Sequence, residues 1–195
     1  PLRALYHSWR DGEVRIELAS SGRSRRSATL GGVWLQAPIT MGLIALSVAG
    51  FLLIYANAPV TWLAQLTFSP FTVRDGQVLF SEIDGQYWRL VTPAFLHFGW
   101  LHIVFNSLWL WELGSKVEKT MGAGNMLGLF LVISIVSNSV QFLFGGAAIF
   151  GGMSGVVYGL LGFSWVGAKV QPCWQFQPAT PIMLFMVGWL VVCLV

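Results

Sequence analysis

One serine and one histidine–asparagine pair have the residue types and spacing to do chemistry in this chain. Ser154 stands in Gly151-Gly152-Met153-Ser154-Gly155, where a glycine-rich break runs into an apolar helical segment. A serine at that point is either a plain helix cap or a nucleophile. The second choice gains from the place itself, because a helix N-terminus offers free N–H groups and the positive end of the dipole to a developing oxyanion. Small neighbours also let a substrate backbone come close. His102 and Asn106 are four apart, so they share one helix face, among the apolar neighbours Ile103, Val104, Phe105 and Leu108. They are either helix–helix hydrogen bonders or two donors aimed at one negative oxygen. From the residues alone, His102 could equally be the base for Ser154. Tyr158, one turn beyond Ser154, is either core or a ring stacked beside the serine.

The elements that position these groups must lie in a membrane. Of 195 residues, 55% are hydrophobic and only 10% charged, with a mean hydropathy of +0.68. Soluble domains carry roughly a quarter charged residues. So few charges cannot coat a soluble globule, which excludes an ordinary cytosolic domain, a disordered tail and a nucleic-acid binder. The net charge of +3 reflects Arg3, Arg10, Arg15, Arg23, Arg25 and Arg26, ahead of the first apolar run, and reads as a topology signal. Cys173 and Cys193 are too few for a disulfide framework and have no zinc-type spacing. No metal or organic cofactor motif is present.

Residues 1–36 form a polar, basic tail. DGEVRIEL (Asp11–Leu18) alternates like a short strand and could end a soluble domain; Ser20–Gly32 reads as a flexible linker beside anionic lipid. Residues 37–195 form the membrane domain. Ala37–Ala56 is uncharged and of spanning length. A long connection follows, from Asn57 to about Thr92. The second span is expected over Pro93–Trp111, the third over Asn125–Phe144, the fourth over Ser154–Ala168, and a fifth begins at Pro181. The fold class expected is an all-α, polytopic bundle. Counting Lys and Arg by side puts the N-terminus in the cytoplasm, with the long connection and the break before Ser154 outside. The chain stops inside an apolar run at Cys193-Leu194-Val195, so a cut end is expected, with further spans in the parent protein.

Helix length sets the depth of the serine. Ser154–Ala168 gives ~22 Å of helix against a hydrocarbon core of roughly 30 Å. With Lys169 at the inner surface, Ser154 lies below the outer one. Irregular backbone at that depth must be buried in protein or line a wet cavity, so a recess with Ser154 at its floor is expected. Gly155, Gly159 and Gly162 fall on one side of that helix, and Gly155 with Gly159 forms a close-packing face for another span. Glu118, in Gly114-Ser-Lys-Val-Glu118-Lys-Thr-Met-Gly122, is expected to anchor nearby backbone. Ser134, Ser137, Asn138, Ser139 and Gln141 are either interhelical glue or a water path.

The ordered set His102-Ile-Val-Phe-Asn106, Gly114/Glu118/Gly122 and Gly152-Met-Ser154-Gly-Val-Val-Tyr158 resembles the rhomboid intramembrane serine proteases, especially the bacterial type with a cytoplasmic N-terminal domain. Trp88-Arg89 matches the WR pair of that family. The resemblance runs from about Ala37 to Val195 and implies a six-helix core, of which five spans are present. It implies Ser154 as nucleophile, His102 and Asn106 with the Ser154 N–H around the oxyanion, and Gly152 and Met153 along the substrate strand. It places the general base on a histidine of the sixth span. The histidines here are His7, His97 and His102, and none matches, so the 195 residues alone are expected to be inactive. His97 is a weak candidate for a direct role. The partners implied are transmembrane protein substrates and the lipid bilayer, with no nucleic acid and no metal, in a bacterial inner membrane. Two other readings remain: a non-catalytic relative that binds transmembrane helices, and a transporter lined by His102 and Asn106.

Overall fold

A computed structural model describes residues 36–171 and 176–194, the side chains of the last six excepted. Helix α1 is Pro38–Tyr55 and a short α2 is Val60–Leu66. The hairpin β1–β2 (Phe71–Arg74, Gln77–Phe80) follows, then 3-10 turns at Tyr87–Leu90 and Thr92–Phe95. Helix α3, Trp100–Trp109, passes through a π-helical turn, Leu110–Gly114, into α4, Ser115–Met121. Helices α5 (Ala123–Gly145), α6 (Ser154–Val170) and α7 (Thr180–Leu194) complete the bundle. Two helices, α1 and α5, are by themselves long and apolar enough to cross a membrane, each with a mean hydropathy of 2.0. The strand expected at 11–18, the linker at 20–32 and Cys173 lie outside the described residues.

The second expected span needs correction. Residues 93–99 are a 3-10 turn and loop, because Pro93 fixes the turn and Gly99, with extended backbone at φ −169, is the N-cap of α3. The helix then runs on through the charged stretch to Met121, since those charges find partners. Glu112 pairs with Lys116, and Glu118 turns inward. The connection after α1 is also more ordered than expected. Asp75 and Gly76, at φ 52 and 76, are the two left-handed residues of a tight hairpin turn, and Phe71 pairs with Phe80.

Small and polar residues gather on the buried helix faces beside large apolar ones, while the outward faces are largely apolar, because lipid is as apolar as leucine. The buried face of α1 is Thr40, Leu43, Ser47, Gly50 and Phe51, while Leu46, Val48 and Leu52 face out. On α5, Met126, Phe130, Ser134 and Asn138 recur every four residues on the buried face, and Val132, Val136 and Leu143 are exposed. Helix α6 lies at the centre: Val156, Val157, Leu160 and Leu161 join Leu110, Leu113, Met126 and Phe130 in one core. On the glycine face of α6, Gly155 and Gly159 are covered by α5, whereas a Cβ on Gly162 would meet nothing within 4 Å. A Cβ on Gly155 would stand 2.6 Å from the Ser137 side chain, and one on Gly159 would run into Ile133.

Two charged side chains tie the framework together. Glu118, on α4, caps α1: its carboxylate accepts the Ile39 N–H (2.9 Å), the Thr40 N–H (2.8 Å) and the Thr40 hydroxyl (2.7 Å). The anion thereby satisfies donors at the positive end of the helix dipole. Arg89 does the opposite at the C-terminus of α2. Its guanidinium is 2% exposed and donates to the carbonyls of Ala64 (2.5 Å) and Thr67 (2.8 Å). The Trp88 indole N–H takes the Gln65 carbonyl at 3.1 Å and the Thr92 hydroxyl takes that of Leu66 at 2.8 Å. Trp88-Arg89 is thus a clamp on α2. Asn138 likewise fixes α5 to the connection after α1 through the Leu90 carbonyl (2.8 Å).

Replacing Glu118 tests the first tie. Glu118→Ala leaves two helix-terminal N–H groups without an acceptor, and should lower the unfolding free energy in detergent by about 2–4 kcal/mol. Glu118→Gln, which keeps an acceptor but not the charge, should cost less than half as much. Equal losses in a denaturant titration would mean that the carboxylate does not act as an N-terminal cap.

Candidate functional site

The break between α5 and α6 is positioned through its main chain. Gly152 N–H donates to the Pro93 carbonyl at 3.0 Å, and Met153 N–H donates to His97 Nε2 at 3.3 Å. Gly152 has φ +126, a left-handed conformation that a side chain would strain. A Cβ there would also stand 2.5 Å from Cε1 and Nε2 of His102. The bare glycine is what lets the imidazole lie against the strand.

Helix α6 begins at Ser154, with Met153 as its cap residue and no side-chain hydrogen bond closing the terminus. Ser154 is therefore not the cap that a serine in this position often is. Its side chain is exposed and faces a cavity. The first main-chain bond of α6 runs from Val157 N–H to the Met153 carbonyl at 2.9 Å. The N–H groups of Ser154, Gly155 and Val156 precede it and have no helical carbonyl to donate to, which is the arrangement that binds an anion.

That cavity, of about 600 Å³, is walled by four helices. Ser154, Gly155 and Tyr158 come from α6, His102 and Asn106 from α3, Ser137 and Gln141 from α5, and Phe185 and Met186 from α7. Asn106 is 7% exposed and donates one Nδ2 hydrogen to the His102 carbonyl at 2.8 Å. An amide nitrogen carries two hydrogens, so the bond orients the group and leaves the second for the cavity. Tyr158 lines the wall, and its hydroxyl donates to the Met186 carbonyl at 2.8 Å, joining α6 to α7.

The structure brings Ser154, His102, Asn106 and Tyr158 to one cavity and sets Gly152 against His102. It does not bring the Met153 side chain there. Met153 is fully buried in the core, and its main-chain N–H and carbonyl already hold His97 and Val157. The polar residues of α5 divide between both expected roles: Asn138 is glue, while Ser137 and Gln141 face the cavity. Phe185 and Met186 carry no sequence signal, being two apolar residues in an apolar helix. The bond from Met153 to His97 is also invisible in sequence, since its partners are 56 residues apart.

Together these features place a hydroxyl at a helix N-terminus, with N–H donors beside it and an imidazole and a carboxamide across a half-open recess. That set is suited to acyl transfer, with the negative oxygen held opposite the nucleophile. Among the described residues, no group of His, Cys, Asp and Glu could hold a metal ion.

Residues 84–195 match the Rhomboid domain family. Over 193 residues the chain is 35% identical to the rhomboid protease GlpG of Serratia proteamaculans, which covers 98% of this chain and 65% of that protein. It is 36% identical over 197 residues to GlpG of Yersinia pseudotuberculosis, again 98% and 65%. With the GlpG homolog of Cronobacter sakazakii it shares 34% over 194 residues, 97% of this chain and 64% of that protein. The chain thus spans about two-thirds of the length of these curated relatives.

The contact between Gly152 and the imidazole gives a direct test. Gly152→Ala should displace the His102 ring, seen as shifted imidazole resonances, and destabilise the protein by about 1–3 kcal/mol through backbone strain. Gly124→Ala, at a helical glycine with nothing within 4 Å of the added carbon, should leave those resonances in place. Unchanged spectra for both variants would show that the strand and the ring are not packed together.

Proposed function

The chain belongs to the rhomboid family, and from that premise we propose that it carries the nucleophile and the oxyanion site of an intramembrane serine endopeptidase. The observation that carries this reading is the exposure of Ser154, at the first turn of α6, into a cavity that His102 and Asn106 share. Ser154 Oγ attacks a peptide carbonyl and gives up its proton to an imidazole. The carbonyl oxygen becomes negative and is held by the second Asn106 N–H, by His102 and by the Ser154 main-chain N–H. The tetrahedral adduct collapses to an acyl-enzyme, the proton passes to the leaving amine, and water then hydrolyses the ester.

The proton acceptor in this proposal is a histidine outside these 195 residues. Both ring nitrogens of His97 have main-chain partners, and the His102 ring is packed on Gly152, on the side assigned to the oxyanion. The 195 residues alone are then inactive. Gly152 takes part through its main chain, and Tyr158 shapes the wall on which substrate rests.

The substrate proposed is a transmembrane segment of another membrane protein, cut near the outer face of a bacterial inner membrane, with the N-terminus of the enzyme in the cytoplasm. A substrate helix has its carbonyls engaged in its own hydrogen bonds, so it must unwind locally before attack. Helix-breaking residues near the cleavage point should therefore raise the rate.

The test uses the full-length protein in proteoliposomes with a single-span substrate. Ser154→Ala should abolish cleavage while leaving thermal stability within about 0.5 kcal/mol, since the hydroxyl has no structural bond to lose. Asn106→Ala should cut kcat by roughly 100-fold or more. Full cleavage by Ser154→Ala would move the nucleophile elsewhere. Substrate binding without cleavage by the wild-type protein would make it a non-catalytic binder of transmembrane helices.

A further inference from the structure

His97 lies outside the cavity, is fully buried and has no place in the acyl-transfer steps above. Its surroundings nonetheless fix its chemistry. Nδ1 lies 3.1 Å from the Phe95 carbonyl, which can only accept, so Nδ1 carries a hydrogen. Nε2 faces the Met153 N–H at 3.3 Å, which can only donate, so Nε2 must be bare. One neutral tautomer meets both demands. An imidazolium would turn an N–H against an N–H.

The ring stands edge-on to His102, with centroids 5.0 Å apart and an interplanar angle of 61°. His102 in turn rests on Gly152, whose N–H is held by Pro93. The segment entering α6 is thus met at three points, by Pro93 and His97 ahead of α3 and by His102 within it. Two of those points are hydrogen bonds donated by main-chain N–H groups, and His97 accepts the one nearest Ser154. Met153 N–H is one residue before the Ser154 N–H, so its direction sets where the helix N-terminus and the Ser154 side chain point.

We propose that His97 is a positioning residue: its Nε2 lone pair tethers Met153 so that the Ser154 N–H and hydroxyl are aimed into the cavity opposite Asn106. This deepens the reading above and rests on Ser154 being the nucleophile. The tether orients transition-state groups, so its loss should act on kcat and leave KM nearly unchanged.

The experiment compares His97→Gln with His97→Leu in the full-length protein. A glutamine side-chain oxygen can reach the position of Nε2 and accept the Met153 N–H, whereas leucine fills similar space with no acceptor. His97→Leu should lower kcat by about 30-fold or more, with KM within about two-fold, and should speed hydrogen exchange at the Met153 amide by a factor of about ten or more. His97→Gln should recover most of kcat and most of the protection. Nitrogen-15 spectra of the wild-type protein should show His97 protonated on Nδ1 and bare on Nε2.

Equal kcat and equal Met153 exchange in the two variants would overturn the tether. So would a loss of activity in His97→Leu that only follows its loss of folded protein. Failure of the protease reading looks different. Ser154→Ala would then keep its activity, while the Met153 exchange of the two His97 variants would still differ.

Discussion

Main chain that is neither helix nor closed sheet cannot face lipid, because each unpaired N–H or C=O in hydrocarbon costs several kcal/mol. The stretch between α5 and α6 breaks helical hydrogen bonding, and much else follows from how its polar groups are satisfied. Gly152 finds the Pro93 carbonyl and Met153 finds the His97 ring. Both partners belong to the segment just ahead of α3, which ties the start of α6 to the approach to α3. His102 and Asn106, on α3, line the same cavity as Ser154. The Ser154 hydroxyl is left facing the cavity.

The same physics explains the composition of the helix faces. Within a bilayer, apolar side chains gain little by turning inward, so small and polar residues recur on the buried faces beside the large apolar side chains of the core. Thr40, Ser47 and Gly50 mark the inner face of α1; Ser134 and Asn138 mark that of α5. Charges are admitted where a helix end needs them. Glu118 sits on an N-terminus and Arg89 on a C-terminus, and each is nearly fully enclosed.

Much of this was legible in the sequence. The spans of α1, α5, α6 and α7 follow from uncharged length, and their bounds agree within about two residues with the helices described. Ser154, His102 and Asn106 stood out as polar groups in apolar runs. The boundaries of α3 did not, because a hydropathy run cannot tell the loop at 93–99 from helix, and because Lys116, Glu112 and Glu118 look like a span end until their partners are known. The hairpin carried a signal, Asp75-Gly76 between two β-branched and aromatic stretches, that a membrane reading passes over. The roles of His97 and Met186 depend on main-chain partners, and no residue pattern records those.

The Glu118 cap has a consequence for how the chain is made. The donors at Ile39 and Thr40 are synthesised nearly 80 residues before their acceptor. Until Glu118 leaves the ribosome, the exposed amides at that end of α1 must be solvated by headgroups and interfacial water. Helix α1 therefore enters the bilayer before its cap exists, and only later exchanges water for the carboxylate as the bundle docks. The lock on α1 is carried by a helix translated later in the chain.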